Sequence, residues 1–169
     1  MMTISYNNHE KDLTDIINNL NEDKITLSLL LYRNHNQHHI TKLFNYLKSM
    51  NIVLKMLTIE RIKIINTKSY HCIKLSMNNK LTEFDINEIF KSHILLCSIV
   101  NLLCECLLKA LRCDDCIRLL LKKKLFAPLY TVLFAILARI ISCLSKLVLY
   151  FDNKYSILTS QISVSNGCR

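Results

Sequence analysis

The sequence predicts an all-α fold: a single antiparallel helical bundle of three long helices plus a short N-terminal helix. Three observations carry this expectation. The 169 residues include one Gly (Gly167) and one Pro (Pro128), so two of the residues that the many turns of a sheet protein draw on are nearly absent. Hydrophobic residues nevertheless make up 51%, enough for one core at this length and too little chain for two comfortable ones. Where the apolar residues are periodic, they recur at spacings of three and four rather than alternately.

The elements follow in order. Residues 1–9 read as a polar tail, and the helical domain spans 10–160. Leu13, Ile16, Ile17 and Leu20 make one apolar stripe on a short amphipathic helix. Residues 27–32 are apolar and compatible with a helix. Ile40, Leu43, Phe44, Leu47, Met50 and Leu54 repeat the pattern on a longer helix that runs to about Ile59. Residues 60–82 lose the period and gain charge, Asn and Thr, which predicts a basic, flexible connection. Residues 85–121 form a long helix with Thr82 or Asp85 as its N-cap. Lys122, Lys123 and Lys124 close it, where the helix dipole favours cations. Pro128 falls near the start of the last helix, a position that tolerates its missing N–H. That helix extends to about residues 156–160, and 161–169 are a tail. The last two helices are apolar nearly all round, so they are expected at the centre of the bundle.

Charge is unevenly spread. The net charge is +9, yet residues 1–30 carry two Lys against five acids, and residues 31–80 carry nine Lys or Arg against Glu60 alone. A second basic block occupies 111–169, with nine bases against three acids. Two basic blocks suggest a polyanionic partner, nucleic acid before a membrane surface. The polar, acidic stretch 1–19 has no apolar signal region, so an intracellular chain with reduced cysteines is expected. Residues 94–108 are too short to span a bilayer. Residues 132–151 are long enough but contain Arg139 and Lys146, each of which costs a few kcal/mol at mid-bilayer. Both segments read as buried helices, with no membrane partner.

Eight cysteines invite a metal reading, and Cys113 and Cys116 have the two-residue spacer that zinc favours. On one continuous helix, however, Cys97 and Cys104 fall on one face, and Cys106 and Cys113 fall roughly opposite. They therefore read as small buried hydrophobes, and no metal or other cofactor is expected. No phosphate loop, nucleophile elbow or paired-carboxylate motif occurs. Asp114 and Asp115 are adjacent, so they point about 100° apart. No catalytic residue and no small-molecule substrate are expected.

The polar run from Tyr32 to His39 interrupts the apolar pattern. Projected back from Ile40 and Leu43 along an unbroken helix, Arg33 and Asn36 face the core while Asn34, His35 and His38 face out. A buried guanidinium and carboxamide need hydrogen-bond partners. Glu88 or Glu105 is a candidate partner, and Arg33, Asn36, Glu105 and Arg139 form the expected polar core. Alternatively, the run is a helix–helix turn, because Asn and His are weak helix formers. RNA is the other partner such residues suit: Asn, Gln and His for base edges and 2′-hydroxyls, Arg for phosphate.

The wording of this run, Leu30-Leu31-Tyr32-Arg33-Asn34-His35-Asn36-Gln37-His38, followed by Leu43-Phe44-Asn45-Tyr46-Leu47-Lys48-Ser49-Met50-Asn51, resembles the N-terminal domain of the nucleolus and neural progenitor protein (Nepro) family. It also resembles the related RNase MRP protein subunit of the Rmp type. Residues 102–108 are similar to the Leu- and Cys-rich third helix of that group, and residues 133–149 to its final apolar helix. The resemblance covers about residues 10–158. The animal members continue beyond this domain, so roles housed there are not implied. What the resemblance implies is a non-catalytic subunit of RNase MRP, a nucleolar ribonucleoprotein in which RNA cleaves precursor ribosomal RNA. Its partners would be RNase MRP-type RNA and the neighbouring protein subunits, and its place the nucleus and nucleolus. The alternative is a nuclear protein-interaction scaffold of the Nepro kind, linked to neural progenitor maintenance, without direct RNA contact. The residues expected to touch RNA or a partner are Arg33, Asn34, His35, Asn36, Gln37, His38, Lys42, Arg61, Lys63, Lys122, Lys123 and Lys124.

Overall fold

A computed structural model of the chain describes the backbone of residues 2–76, 83–124 and 126–166, and the side chains of 12–75, 85–124 and 126–160. Among the described residues there are six helices and no strand, so the all-α expectation holds. They are α1 (Met2–Arg33), α2 (His35–His38), α3 (Lys42–Met56), α4 (Ile59–Ser76), α5 (Glu83–Lys122) and α6 (Ala127–Asn166). The first helix is long rather than short, and it takes in the residues expected to be a tail. Asp85 lies inside α5 rather than capping it, and Thr82 lies outside the described residues.

The largest departure is residues 60–82, expected to be a flexible connection. Residues 59–76 are helical, and Ile62, Ile65, Ser69 and Cys72 are buried at spacings of three, four and three. The period is present, but its seam includes Ser69 and Cys72, and Asn66 is buried beside it. A pattern sought among large apolar residues alone misses it. Residues 77–82 lie outside the described residues.

The chain divides into two compact units, residues 1–56 with 104–147 and residues 57–103 with 148–169. In the first, α1 packs on α3, and the Ser28 hydroxyl donates to Asn51 Oδ1 across their seam at 3.1 Å. The core includes Leu20, Leu27 and Leu31 of α1, and Leu43, Leu47, Met50 and Leu54 of α3. The α5 segment of this unit buries Cys106, Ala110, Cys113 and Ile117, and the α6 segment buries Tyr130, Leu133, Leu137, Ile140, Leu144 and Leu147. The alternation of threes and fours is the 3.5-residue period of a coiled-coil seam. Lys109 ties α5 to α3 by donating to Ser49 Oγ at 3.0 Å. Arg118 lies 4.9 Å over the Phe134 ring, tying α5 to α6.

The second unit is built from α4, the first part of α5 and the last part of α6. Ile89, Ser92, Leu96, Ile99 and Leu103 continue the three-and-four seam. On α6 the seam positions are Phe151, Lys154 and Leu158, of which Phe151 and Leu158 are buried. A lysine at a seam position needs an acceptor. Asn66 supplies it, because its Oδ1 takes both the Lys154 ammonium and the Tyr150 hydroxyl at 2.9 Å. Lys154 also sits 4.7 Å over the Tyr150 ring.

The last two helices are not buried all round. Within their most apolar 18-residue windows, 28% of α5 and 33% of α6 is buried, close to the two positions in seven that a heptad seam covers. Ile86, Phe90 and Ile94 form an exposed apolar stripe in one unit, and Leu108, Leu111 and Leu119 are exposed in the other. Both helices are long and apolar enough to cross a membrane, a test that the core helix of a soluble bundle also passes.

The turn between α5 and α6 is made without glycine. Lys123 and Lys124 N–H donate to Leu120 and Leu121 carbonyls at 3.1 and 3.0 Å, and Lys124 and Phe126 adopt φ of 55° and 47°. Left-handed backbone costs an L-residue with a Cβ about 1 kcal/mol. Replacing Lys124→Gly is therefore expected to raise unfolding free energy by about 0.5–1 kcal/mol, measured by denaturant titration. In the second unit, Asn66→Ala removes the acceptor shared by two donors and is expected to cost about 2 kcal/mol by the same measurement.

Candidate functional site

The site grows from the way α1 ends. Asn34 brings two donors to one acceptor: its backbone N–H and its side-chain Nδ2 reach the Leu30 carbonyl at 3.0 and 2.9 Å. With φ −99° and ψ 8° it leaves the helical region. A single turn, α2, follows. Thr41 then starts α3, its hydroxyl donating to the His38 carbonyl at 2.8 Å and accepting from Phe44 N–H at 3.3 Å. This is a side-chain N-cap, which satisfies an otherwise orphaned donor of the first turn.

Because the helix breaks at Asn34, the projection along an unbroken helix fails. Arg33 and Asn36, expected inside, are exposed, and so are His35 and Gln37, while Asn34 is half-buried. His38, expected outside, is 3% exposed. Its ring stacks on Phe44 at 5.4 Å and meets the edge of Phe126 at 4.9 Å. Ile40, expected in the buried stripe, is 82% exposed. The helix–helix turn, the other expectation, is the arrangement found.

The expected polar core of Arg33, Asn36, Glu105 and Arg139 does not assemble. Glu105 is exposed and pairs with Lys109 along α5 at 3.0 Å. Arg139 is also largely exposed, but its Nε lies 3.4 Å from the buried carboxylate of Asp23. Asp23 escaped notice because it lies between the apolar stripes of α1, where a carboxylate reads as a solvated charge. Burial raises its pKa above the ordinary 3.8, the Arg139 guanidinium offsetting that only in part.

Arg33, His35 and Asn36 instead come together with Tyr32 and, from α3, Lys48, Asn51 and Lys55, around a cleft of about 650 Å³. Three cations line it and, among the described residues, no carboxylate does. Lys48, Asn51 and Lys55 were missed by the sequence reading. Their signal was there, since spacings of three, four and seven place them on one face of α3. The other expected contacts do not line this cleft. Lys42 is exposed on α3, 5.6 Å from the Tyr46 ring. Lys122, Lys123 and Lys124 are exposed at the end of α5. Arg61 and Lys63 belong to the second unit, where Arg61 Nη2 donates to Ser98 Oγ at 3.4 Å.

The described cysteines lie along helices. Cys106 and Cys113 are seam residues whose thiols burial pushes up to about 12, so they stay protonated and unreactive at neutral pH. Among the described residues no three His, Cys, Asp or Glu side chains are grouped to hold a metal ion.

Asp23 makes a pH-dependent prediction. A carboxyl whose pKa is raised on folding contributes its stability below the ordinary carboxylate pKa, and that contribution is lost as pH rises through the folded value. Asp23→Asn should flatten this acid-side dependence without loss of stability at pH 7. Arg139→Ala should cost about 1 kcal/mol at pH 7, given the exposure of the guanidinium, and less near pH 4. In the Asp23→Asn background it should cost little. Denaturant titrations across pH check all three.

No family model, curated protein or solved structure matches the chain.

Proposed function

We propose that the chain is a non-catalytic protein subunit of a nucleolar ribonucleoprotein resembling RNase MRP, supporting precursor ribosomal RNA processing by binding RNA and neighbouring subunits. The observation that carries the reading is the cleft beside the polar run. It sets three cations, two carboxamides and a tyrosine around one cavity with no carboxylate among its lining residues. Such a surface attracts phosphate and offers donors and acceptors to bases and 2′-hydroxyls. Leu31, Tyr32, Arg33, His35 and Asn36 of the cleft lie within the stretch whose wording resembles the Nepro and Rmp-type families. In the resembled enzyme RNA is the catalyst, so the protein's task is to hold RNA and neighbours in place.

The test has two arms. Tagged protein purified from cells should bring down an RNase MRP-type RNA, and absence of that RNA ends the proposal. Purified protein should bind RNA with an affinity that falls steeply with salt. Lys48→Ala and Lys55→Ala should each weaken binding and lower the slope of log affinity against log salt by about one.

A second reading, a protein-interaction scaffold without direct RNA contact, draws on a different observation. Ile25 and Leu29 of α1 and Ile52 and Met56 of α3 are all at least half exposed, an apolar face of the kind that marks protein contacts. Recovery of protein subunits by a chain that binds no RNA at low salt would favour it.

A further inference from the structure

Tyr32 is 82% exposed at the end of α1 and lines the cleft. Most other tyrosines of the described chain stand against a ring or a cation. Tyr130 meets His38 and Phe126, Tyr150 meets Phe151 and Lys154, Tyr155 meets His93, and Tyr46 has Lys42 above it. Tyr32 has no such neighbour among the described residues, so one of the largest apolar faces of the first unit is left in water beside a basic cavity. Ile52, 60% exposed on α3, also lines the cavity. The carboxamides have capacity to spare. Asn51 uses its Oδ1 to accept from Ser28, which leaves its amide N–H groups as donors, and Asn36 is exposed with both a donor and an acceptor.

We infer that this cleft holds one unpaired nucleotide of single-stranded RNA, its base stacked on Tyr32 and its flanking phosphates held by Arg33, Lys48 and Lys55. The inference rests on the RNA-binding reading above and narrows it to a class of RNA. Two features select an unpaired nucleotide over a duplex. Stacking on a side-chain ring requires a base face that its neighbours do not cover, which only a loop, bulge or single strand offers. Asn51 and Asn36 suit the Watson–Crick edge of a base, which a duplex conceals.

The test uses the full chain and fluorescently labelled RNA, a mixed-sequence single strand against a hairpin duplex of equal charge. The single strand should bind more tightly. Tyr32→Ala should weaken it roughly tenfold, as expected for loss of one stacked base, while leaving the salt slope unchanged. Tyr32→Phe should bind like the wild type. Because Tyr32 is exposed, neither substitution should disturb the fold, which circular dichroism checks. Equal affinity for duplex and single strand, or no effect of Tyr32→Ala, overturns the nucleotide site. The RNA reading survives that result if Lys48→Ala and Lys55→Ala still weaken binding. If neither RNA binds at low salt, both readings fall together.

Discussion

Asn34 presents its backbone N–H and its amide Nδ2 to the same carbonyl, that of Leu30, and its backbone, at φ −99° and ψ 8°, leaves the helix where the polar run begins. The candidate cleft lies beside this helix end. α1 buries Leu27 and Leu31, so Arg33 stands on its outer face, and Asn36 in the turn that follows is exposed as well. The single turn α2 buries His38 instead. Phe44, Phe126 and Tyr130 surround its ring. Thr41 completes the corner from the other side by bonding both the departing turn and the incoming helix. The chain reverses here without glycine because side chains supply the hydrogen bonds.

The same economy of turn residues shapes the rest of the fold. With so few breakers, α5 and α6 each run for 40 residues, and each carries a seam of threes and fours within each compact unit. A seam of this kind covers only a narrow stripe, so much of the apolar content of these helices stays outside. Some of the polar groups placed at or beside the seams meet a specific partner. Lys154 and Tyr150 meet Asn66, and Asp23 meets Arg139. Such pairings add little net stability compared with apolar packing, but a seam shifted by one turn would leave each group buried alone. They therefore penalise wrong registers between helices whose apolar faces are otherwise repetitive.

The candidate site follows from the corner and the α1–α3 packing together. Ending α1 at Arg33 places Tyr32, Arg33, His35 and Asn36 at the edge of a cavity, and α3 returns alongside with Lys48, Asn51 and Lys55 facing it. Charges of one sign with no carboxylate among them repel one another, a cost that an anionic partner relieves. This is the physical ground on which the RNA reading stands, independent of the family resemblance carried by the wording of the same stretch.

Composition and periodicity were sufficient to determine the helical class, the start of α6 beside Pro128 and the inward faces of Leu43, Leu47, Met50 and Leu54. These depend on spacing within one helix, which a sequence displays directly. The seam of α4 was legible only in part, because Ser69 and Cys72 stand where large apolar residues were sought. The polar run was conspicuous as a break in pattern and carried the resemblance, yet its orientation was not legible. That Asn34 leaves the helix lies in the backbone angles of one residue, which periodicity does not record. Tertiary structure alone decided that His38 is buried and Arg33 is not, that Arg139 belongs to Asp23, and that the polar run shares a cleft with Lys48, Asn51 and Lys55. The reason is the same in each case: these groups meet across different helices or around a corner, and their energies depend on burial and on partners distant in the chain.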